Sequence, residues 1–155
     1  MKYVALVVGL FWTSLSFAGG AFTYHGISSG MTSDEVNAIT GCTEYCSSLD
    51  MEEVGEFFSG KEQPPGLMGM AFSYTSKETG SKLWRIQLDF REASGPIGGA
   101  QLRALNELYP DAELKSGRVE LFSNYYVDIK TALIIDSGLF DADVEAFYQA
   151  TIDKY

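Results

Sequence analysis

The sequence MAFSYTSKETGSKLWRIQLDF, residues 70–90, indicates how this chain folds more clearly than any other segment. Large apolar side chains occupy every second position in both halves, at Met70, Phe72 and Tyr74 and then at Trp84, Ile86, Leu88 and Phe90. This alternation indicates two strands that each bury one face, and Thr79-Gly80-Ser81 suits the turn of a hairpin. The segment therefore predicts an antiparallel pair with one aromatic buried face and one polar face.

The chain before this hairpin carries a first helix signal at Thr32. Thr32 is followed three residues later by Glu35, the spacing of a capping box at a helix N-terminus. Met31 and Val36 flank the cap as the two apolar residues of a hydrophobic staple. Gly41 is placed to end this helix in a left-handed conformation.

A second capping box predicts a second helix, with Asp50 as the cap and Glu53 three residues later. Gly60 is expected to end the turn that follows this helix. The predicted buried stripe consists of Met51, Val54, Phe57 and Phe58.

The rest of the chain also separates helices from strands. A helix that ends before Pro110 is predicted after the hairpin, and residues 111–136 are strand-rich with turns near 116–117 and 123–124. A last helix is predicted to begin at Asp141, with apolar side chains at helical spacing at Val144, Phe147, Tyr148, Thr151 and Ile152. Segregated helices and antiparallel strands predict the α+β class, with short helices packed on an antiparallel β-sheet.

Residues 1–18 are predicted to be a signal peptide. Lys2 precedes an almost wholly apolar run from Val4 to Leu15, and Ser16-Phe17-Ala18 places small residues at the cleavage site. The run is shorter than the roughly 20 residues that a spanning helix needs. Residues 19–155 then form a single domain, which is expected to be soluble and periplasmic or secreted. No Cys lies near the cleavage site, so no lipid anchor is expected, and no later segment is long enough to span a membrane.

The acidic charge of the chain restricts its partners. The chain has 21 acidic against 11 basic residues, a net charge of −10, which argues against nucleic-acid binding because phosphate backbones require clustered Lys and Arg. Residues 33–62 alone carry eight acidic side chains and one Lys. Glu44, Glu52 and Glu56 are therefore candidate contacts for a basic protein partner, and the competing interpretation is a solvated face that keeps the protein in solution.

The two cysteines, Cys42 and Cys46, leave two interpretations open. An even pair in an exported chain predicts a disulfide. A small thiol-redox or copper-binding protein is the alternative, because His25, Met68 and Met70 could supply further soft or borderline ligands. The disulfide is favoured, and no cofactor or metal is then expected.

The motifs for catalysis are incomplete. Residues 26–30, GISSG, match G-x-S-x-G, but the only His in the chain, His25, precedes Ser28 instead of following it. A single His also leaves most zinc sites without their ligands. Acidic residues at positions 141, 143 and 145 resemble half of a calcium loop but lack its Gly and distal Glu. No catalytic residue is assigned, and the chain is not expected to be an enzyme.

Residues 26–36, GISSGMTSDEV, and 39–41, ITG, carry a family resemblance. Within residues 24–41 the chain resembles the opening motif of the SmpA/OmlA (BamE-like) outer-membrane assembly lipoproteins, a group similar in shape to the repeats of β-lactamase-inhibitor proteins. The chain departs from the family in lacking a lipidated Cys and in carrying Cys42 where the family continues toward a proline-containing turn. The resemblance implies helices on a small antiparallel sheet and a non-catalytic role in envelope assembly or inhibition.

Overall fold

The computed structural model describes residues 21–43, 45–91, 113–122 and 125–153, with backbone alone for 113–122 and 125–130. The described elements are β1 (Thr23–Tyr24), β2 (Ile27–Ser28), α1 (Ser33–Thr40), β3 (Ser48–Leu49), α2 (Met51–Phe57), β4 (Leu67–Tyr74), β5 (Leu83–Arg91), β6 (Glu113–Phe122), β7 (Tyr125–Ile135) and α3 (Ser137–Ile152). The predicted signal peptide, the predicted helix before Pro110 and the residues of the predicted turn at 123–124 lie outside the described residues.

The described strands form two antiparallel sheets. The larger sheet has five strands in the order β3-β4-β5-β7-β6, and β1 and β2 form a separate pair. Each neighbouring pair in the larger sheet is antiparallel. Together with the three helices, these sheets confirm the α+β class.

The predicted hairpin of β4 and β5 forms the centre of the core. Met70 pairs with Leu88 and Phe72 with Ile86, and all four side chains are buried. Ile86 and Leu88 in turn pair with buried residues of β7, so the apolar face continues across three strands. This continuity is what an alternating pattern in a half-buried sheet should produce.

The prediction that Trp84 belongs to the buried face is wrong. The register of β4 and β5 shifts between Ser73 and Tyr74, so that Tyr74 lies opposite Leu83. Leu83 is therefore fully buried, whereas Trp84 is partly exposed and packs against Phe140 of α3 with ring centroids 4.6 Å apart. A register shift of this kind, a β-bulge, redirects a side chain, which the alternation alone cannot reveal.

Helix α1 begins and ends as predicted. The Thr32 hydroxyl accepts a hydrogen bond from the Glu35 amide, and the Glu35 carboxylate accepts one of 2.7 Å from the Thr32 amide. Gly41 follows the helix with φ 83°, in the left-handed region. Val36 is fully buried and Met31 packs against the core, in agreement with the predicted staple.

Helix α2 has the predicted capping box, and Gly60, with φ 75°, ends the turn that follows Phe57, as predicted. The helix differs from its prediction in that Met51 is exposed instead of buried. Side chains on a helix tilt toward its N-terminus, so a residue in the first helical position projects beyond the packed face. Val54, Phe57 and Phe58 are buried as predicted.

The G-x-S-x-G segment, residues 26–30, contains a strand. Tyr24 pairs with Ile27, and the two residues between them, His25 and Gly26, have φ values of 48° and 90°. Positive φ at both positions is the requirement of a type I′ hairpin turn, and His adopts it more readily than most residues. Ile27 is fully buried as a result.

Two predictions for the C-terminal half are also wrong. Strand β6 runs through residues 116–117, where a turn is predicted, because its continuous pairing with β7 outweighs the local preference of Ser and Gly. Helix α3 begins at Ser137 instead of Asp141, and the Asp136 carboxylate caps it by accepting a 3.1 Å hydrogen bond from the Leu139 amide. Within the described ranges, no helix is both long enough and apolar enough to cross a membrane.

Candidate partner-binding surfaces

The cysteine turn links α1 to the edge of the sheet. Cys42 and Cys46 form a disulfide with their Cα atoms 5.8 Å apart, in agreement with the predicted pairing. The Cys46 amide donates to the Asn37 side chain at 3.1 Å, and the Tyr74 hydroxyl donates to the Cys46 carbonyl at 2.9 Å. Burial, and secondarily the neighbouring Tyr45, raises the pKa of Tyr74, so this hydroxyl stays a donor. The cysteine turn is therefore held to α1 through Asn37 and to β4 through Tyr74.

The surroundings of the disulfide restrict its chemistry. Cys46 is only 2% exposed and belongs to the core, whereas Cys42 is partly exposed, so a reacting thiolate would have to approach the Cys42 sulfur. Met70, a candidate copper ligand in the sequence, fills the core. Among the described residues, no group of three or more His, Cys, Asp or Glu side chains is placed to hold a metal ion.

Helix α2 carries an acidic surface, and two of its members, Glu52 and Glu56, lie on the side opposite the buried stripe. We define the α2 acidic surface as the exposed residues Asp50, Glu52, Glu53 and Glu56. Of the three predicted partner contacts, Glu52 and Glu56 are exposed here, and Glu44 lies outside the described residues. Asp50 and Glu53 also form the capping box, so their carboxylates are engaged by backbone amides.

Two apolar side chains are exposed that the sequence did not predict to be so, and one of them, Met51, lies between Asp50 and Glu52 of this acidic surface. Met51 is 62% exposed at the start of α2, and Tyr45 is exposed in the cysteine turn, where its ring lies 5.1 Å from that of Tyr74. The position of Met51 directly after the cap is the one signal that could have predicted its exposure. Acidic and apolar contacts are therefore available on the same part of the molecule.

The G-x-S-x-G segment shows no nucleophile–base pair. The Ser28 hydroxyl shares a 2.9 Å hydrogen bond with the Thr23 hydroxyl. The His25 ring instead packs edge-to-face against Tyr24 and Phe58, with centroids 4.6 and 4.9 Å away. Burial lowers the pKa of His25, and the positive charge of Lys61 lowers it further.

Helix α3 presents a second surface. Among the described side chains, it contacts the sheet through Phe140 on Trp84 and through the Asp143 carboxylate, which accepts hydrogen bonds from the hydroxyls of Ser76 and Thr79. No residue of α3 is fully buried, and Phe147, Tyr148 and Ile152 are 69%, 61% and 64% exposed. The apolar spacing that predicts the helix in the sequence thus does not mark a buried face.

Comparisons of the chain with models of known protein families, with curated proteins and with solved structures found no match.

Proposed function

We propose that this protein is an exported, non-catalytic protein-binding module, of the envelope-assembly or inhibitor type, whose α2 acidic surface binds a basic protein partner. The main support for this proposal is that Glu52 and Glu56 are exposed while the opposite side of α2 packs in the core. The buried side chains of Val54, Phe57 and Phe58 hold the helix in place. A rigid surface of one charge sign gives a partner a preformed site and avoids an ordering cost on binding.

The charges of this surface are available to a partner. Within the part of the chain that the structure describes, no Lys or Arg nitrogen lies within 4.0 Å of a carboxylate of the α2 acidic surface. Lys61, the basic residue closest to α2 in sequence, lies 4.3 Å from the centroid of the Phe57 ring. Unpaired carboxylates attract a basic partner over distances of about 10 Å at 0.1 M salt and mainly increase the association rate.

Export is the second part of the proposal. The apolar N-terminal segment has the length and the small-residue ending of a signal peptide. A disulfide between Cys42 and Cys46 is what an oxidising compartment favours. The resemblance of residues 24–41 to the BamE-like proteins points in the same direction, to the cell envelope.

The experiment is a comparison of two charge-matched triple variants. Glu44→Gln/Glu52→Gln/Glu56→Gln removes the charges of the three predicted partner contacts, and Asp34→Asn/Glu78→Gln/Asp153→Asn removes three exposed charges elsewhere. Each purified protein is immobilised and exposed to an envelope extract at about 0.05 M and about 0.5 M salt.

We expect at least one protein to be captured by the parent and by the control triple at low salt, and to be lost both at high salt and with the α2 triple. Glu35 and Glu53 are unchanged because their capping roles would confound binding with stability. Capture that is indifferent to salt and to the α2 triple would contradict a docking role for this surface.

The partial exposure of Cys42 supports one alternative, a small periplasmic thiol-redox or copper-binding protein that uses Cys42 and Cys46. Thiol titration of the unfolded protein with and without reductant, followed by Cu(I) titration of the reduced protein, separates the two functions. A binding module should show no free thiol before reduction and no tight Cu(I) uptake after it. Two free thiols in the purified protein, or stoichiometric Cu(I) binding, would favour the alternative.

A further inference from the structure

One side of α3 carries four exposed residues in register. We define the outer face of α3 as Asp141, Glu145, Tyr148 and Ile152, which follow one another at intervals of four, three and four. Residues at these intervals lie above one another on the same side of a helix. With a rise of about 1.5 Å per residue, this face extends for roughly 16 Å, the length of three helical turns.

The contacts of α3 with the sheet lie on its other side. Phe140 packs on Trp84, and Asp143 binds the turn between β4 and β5 through Ser76 and Thr79. Phe140 and Asp143 are three residues apart and therefore share a side of the helix. Successive residues rotate by about 100°, which places the outer face away from these contacts. The outer face is thus directed away from the sheet.

The outer face combines apolar and acidic side chains. Tyr148 and Ile152 are both more than three-fifths exposed. Single exposed apolar residues are common on proteins, but adjacent ones on one helix form a patch of the kind that binds a partner. Asp141 and Glu145 occupy the same side one to two turns toward the N-terminus.

The charge of α3 identifies the chemistry of the partner. Residues 137–152 contain three acidic side chains and no Lys or Arg, the charges of Asp153 and Lys154 that follow offset each other, and the whole chain has a net charge of −10. A second copy of this chain would place acidic residues against acidic residues, and an anionic lipid surface would repel the helix in the same way. Lys or Arg next to apolar side chains would complement both halves of the outer face.

We propose that the outer face of α3 binds a cationic amphipathic helix of another protein. The apolar side chains of that helix pack on Tyr148 and Ile152, and its Lys or Arg residues contact Asp141 and Glu145. This is helix recognition through anchors at intervals of three and four residues. The site is separate from the α2 acidic surface and does not depend on the function proposed for that surface.

The probe for this proposal is a labelled 18-residue peptide of Leu and Lys with its Leu residues on one helical face. Two control peptides replace every Lys by Glu or every Leu by Ser. Their affinities for the purified protein are measured by fluorescence anisotropy, and the oligomeric state of the protein is measured by sedimentation equilibrium. Tyr148→Ala/Ile152→Ala removes the apolar anchors while keeping good helix formers, and Asp141→Asn/Glu145→Gln removes the charges.

We expect the Leu/Lys peptide to bind, and Tyr148→Ala/Ile152→Ala to weaken its binding at least about tenfold. Asp141→Asn/Glu145→Gln should weaken binding at low salt and reduce its salt dependence. Asp34→Asn/Glu78→Gln removes two exposed charges that belong to neither surface and should stay within about twofold of the parent protein. Glu52→Gln/Glu56→Gln, on the α2 acidic surface, is measured in parallel. Both control peptides should bind more weakly than the Leu/Lys peptide.

Three results would overturn the proposal. The first is an affinity for the Leu/Lys peptide that Tyr148→Ala/Ile152→Ala leaves unchanged. The second is a dependence on Glu52→Gln/Glu56→Gln instead, which would favour the α2 acidic surface as the only basic-partner site. The third is a dimer of the protein that Tyr148→Ala/Ile152→Ala dissociates, since a second copy would then occupy this face.

Discussion

The Ser76 hydroxyl donates a 2.6 Å hydrogen bond to the carboxylate of Asp143, across 67 residues of sequence. The Ser76 amide donates to the same carboxylate at 3.0 Å, and the Thr79 hydroxyl adds a further bond. Together with the stacking of Phe140 on Trp84, this is how α3, which has no fully buried residue, stays on the sheet. The turn between β4 and β5 is therefore a docking point for α3.

Asp143→Asn should loosen α3 while leaving the sheet intact. The amide side chain has one acceptor oxygen and no charge, so it cannot accept all the bonds from Ser76 and Thr79, and charge-assisted bonds are the stronger kind. We expect faster hydrogen exchange of the α3 amides with unchanged exchange in β4 and β5. Asp141→Asn, on the outer face, is the matched control and should leave α3 exchange unchanged. Equal exchange in both variants would contradict the docking role.

The same carboxylate predicts an acid-dependent release of α3. The hydrogen bonds from Ser76, and then from Thr79, lower the pKa of Asp143 from its ordinary value of 3.8. The stabilisation is therefore present above pH 3.8 and is lost as the pH falls through the lower value in the folded protein. Trp84 fluorescence, which reports the Phe140 contact, should change in that range in the parent protein, and this component should be absent from Asp143→Asn.

Thr32→Ala should destabilise the protein by about 1 kcal/mol. The substitution removes the hydroxyl that accepts from the Glu35 amide, so one backbone donor at the start of α1 loses its partner. Denaturant unfolding gives the change in free energy, and Thr43→Ala in the exposed cysteine turn provides a control with the same change in composition. An unfolding midpoint equal to that of the control would show that the cap does not stabilise α1.

Alanine substitution of two glycines should have opposite effects. Gly66 has φ 79°, and a Cβ there would lie 3.0 Å from the Arg91 carbonyl oxygen, so Gly66→Ala should cost about 1–2 kcal/mol of unfolding free energy. Gly55 lies inside α2 with open space around it, so Gly55→Ala should add up to about 1 kcal/mol. The pair is measured in one denaturant series. Destabilisation by both substitutions would contradict the assigned conformations.

His25 should make the free energy of unfolding depend on pH below 6.5. Burial, and then Lys61, lowers the pKa of His25 from 6.5, so the unfolded chain binds the proton more tightly than the folded protein does. Stability from this residue is complete above pH 6.5 and falls as the pH decreases toward the folded value. His25→Asn retains the left-handed turn, because Asn before Gly suits it, but removes the titration. The slope of stability between about pH 7 and pH 5 should therefore be smaller in this variant.

Local signals in the sequence predicted the starts of α1 and α2 and the central hairpin correctly. Thr32 with Glu35 and Asp50 with Glu53 act within one turn, so four consecutive residues contain the whole capping box. The alternation around Phe72 likewise reports burial directly. These features depend on neighbours in sequence and can be read without the fold.

Features that depend on distant contacts could not be predicted in this way. Trp84 leaves the buried row because of a register shift against β4, and Asp136 replaces Asp141 as the cap because β7 ends immediately before it. The apolar spacing through Tyr148 describes a helix correctly but does not distinguish a face that packs in the core from one that stays exposed. For the candidate surfaces, the sequence predicted Glu52 and Glu56 but neither Met51 nor the outer face of α3.

The two-residue strand β3 also bears on the risk of aggregation. Ser48 and Leu49 pair with β4, and the Phe72 amide of β4 donates to the Ser47 carbonyl at 2.8 Å. An edge covered in this way offers no long row of free amides and carbonyls on which a foreign strand could assemble. Residues 47–49 follow directly after Cys46, so the disulfide limits how far this segment can move away from β4. Growth of intermolecular β-structure from β4 would first have to displace this tethered segment.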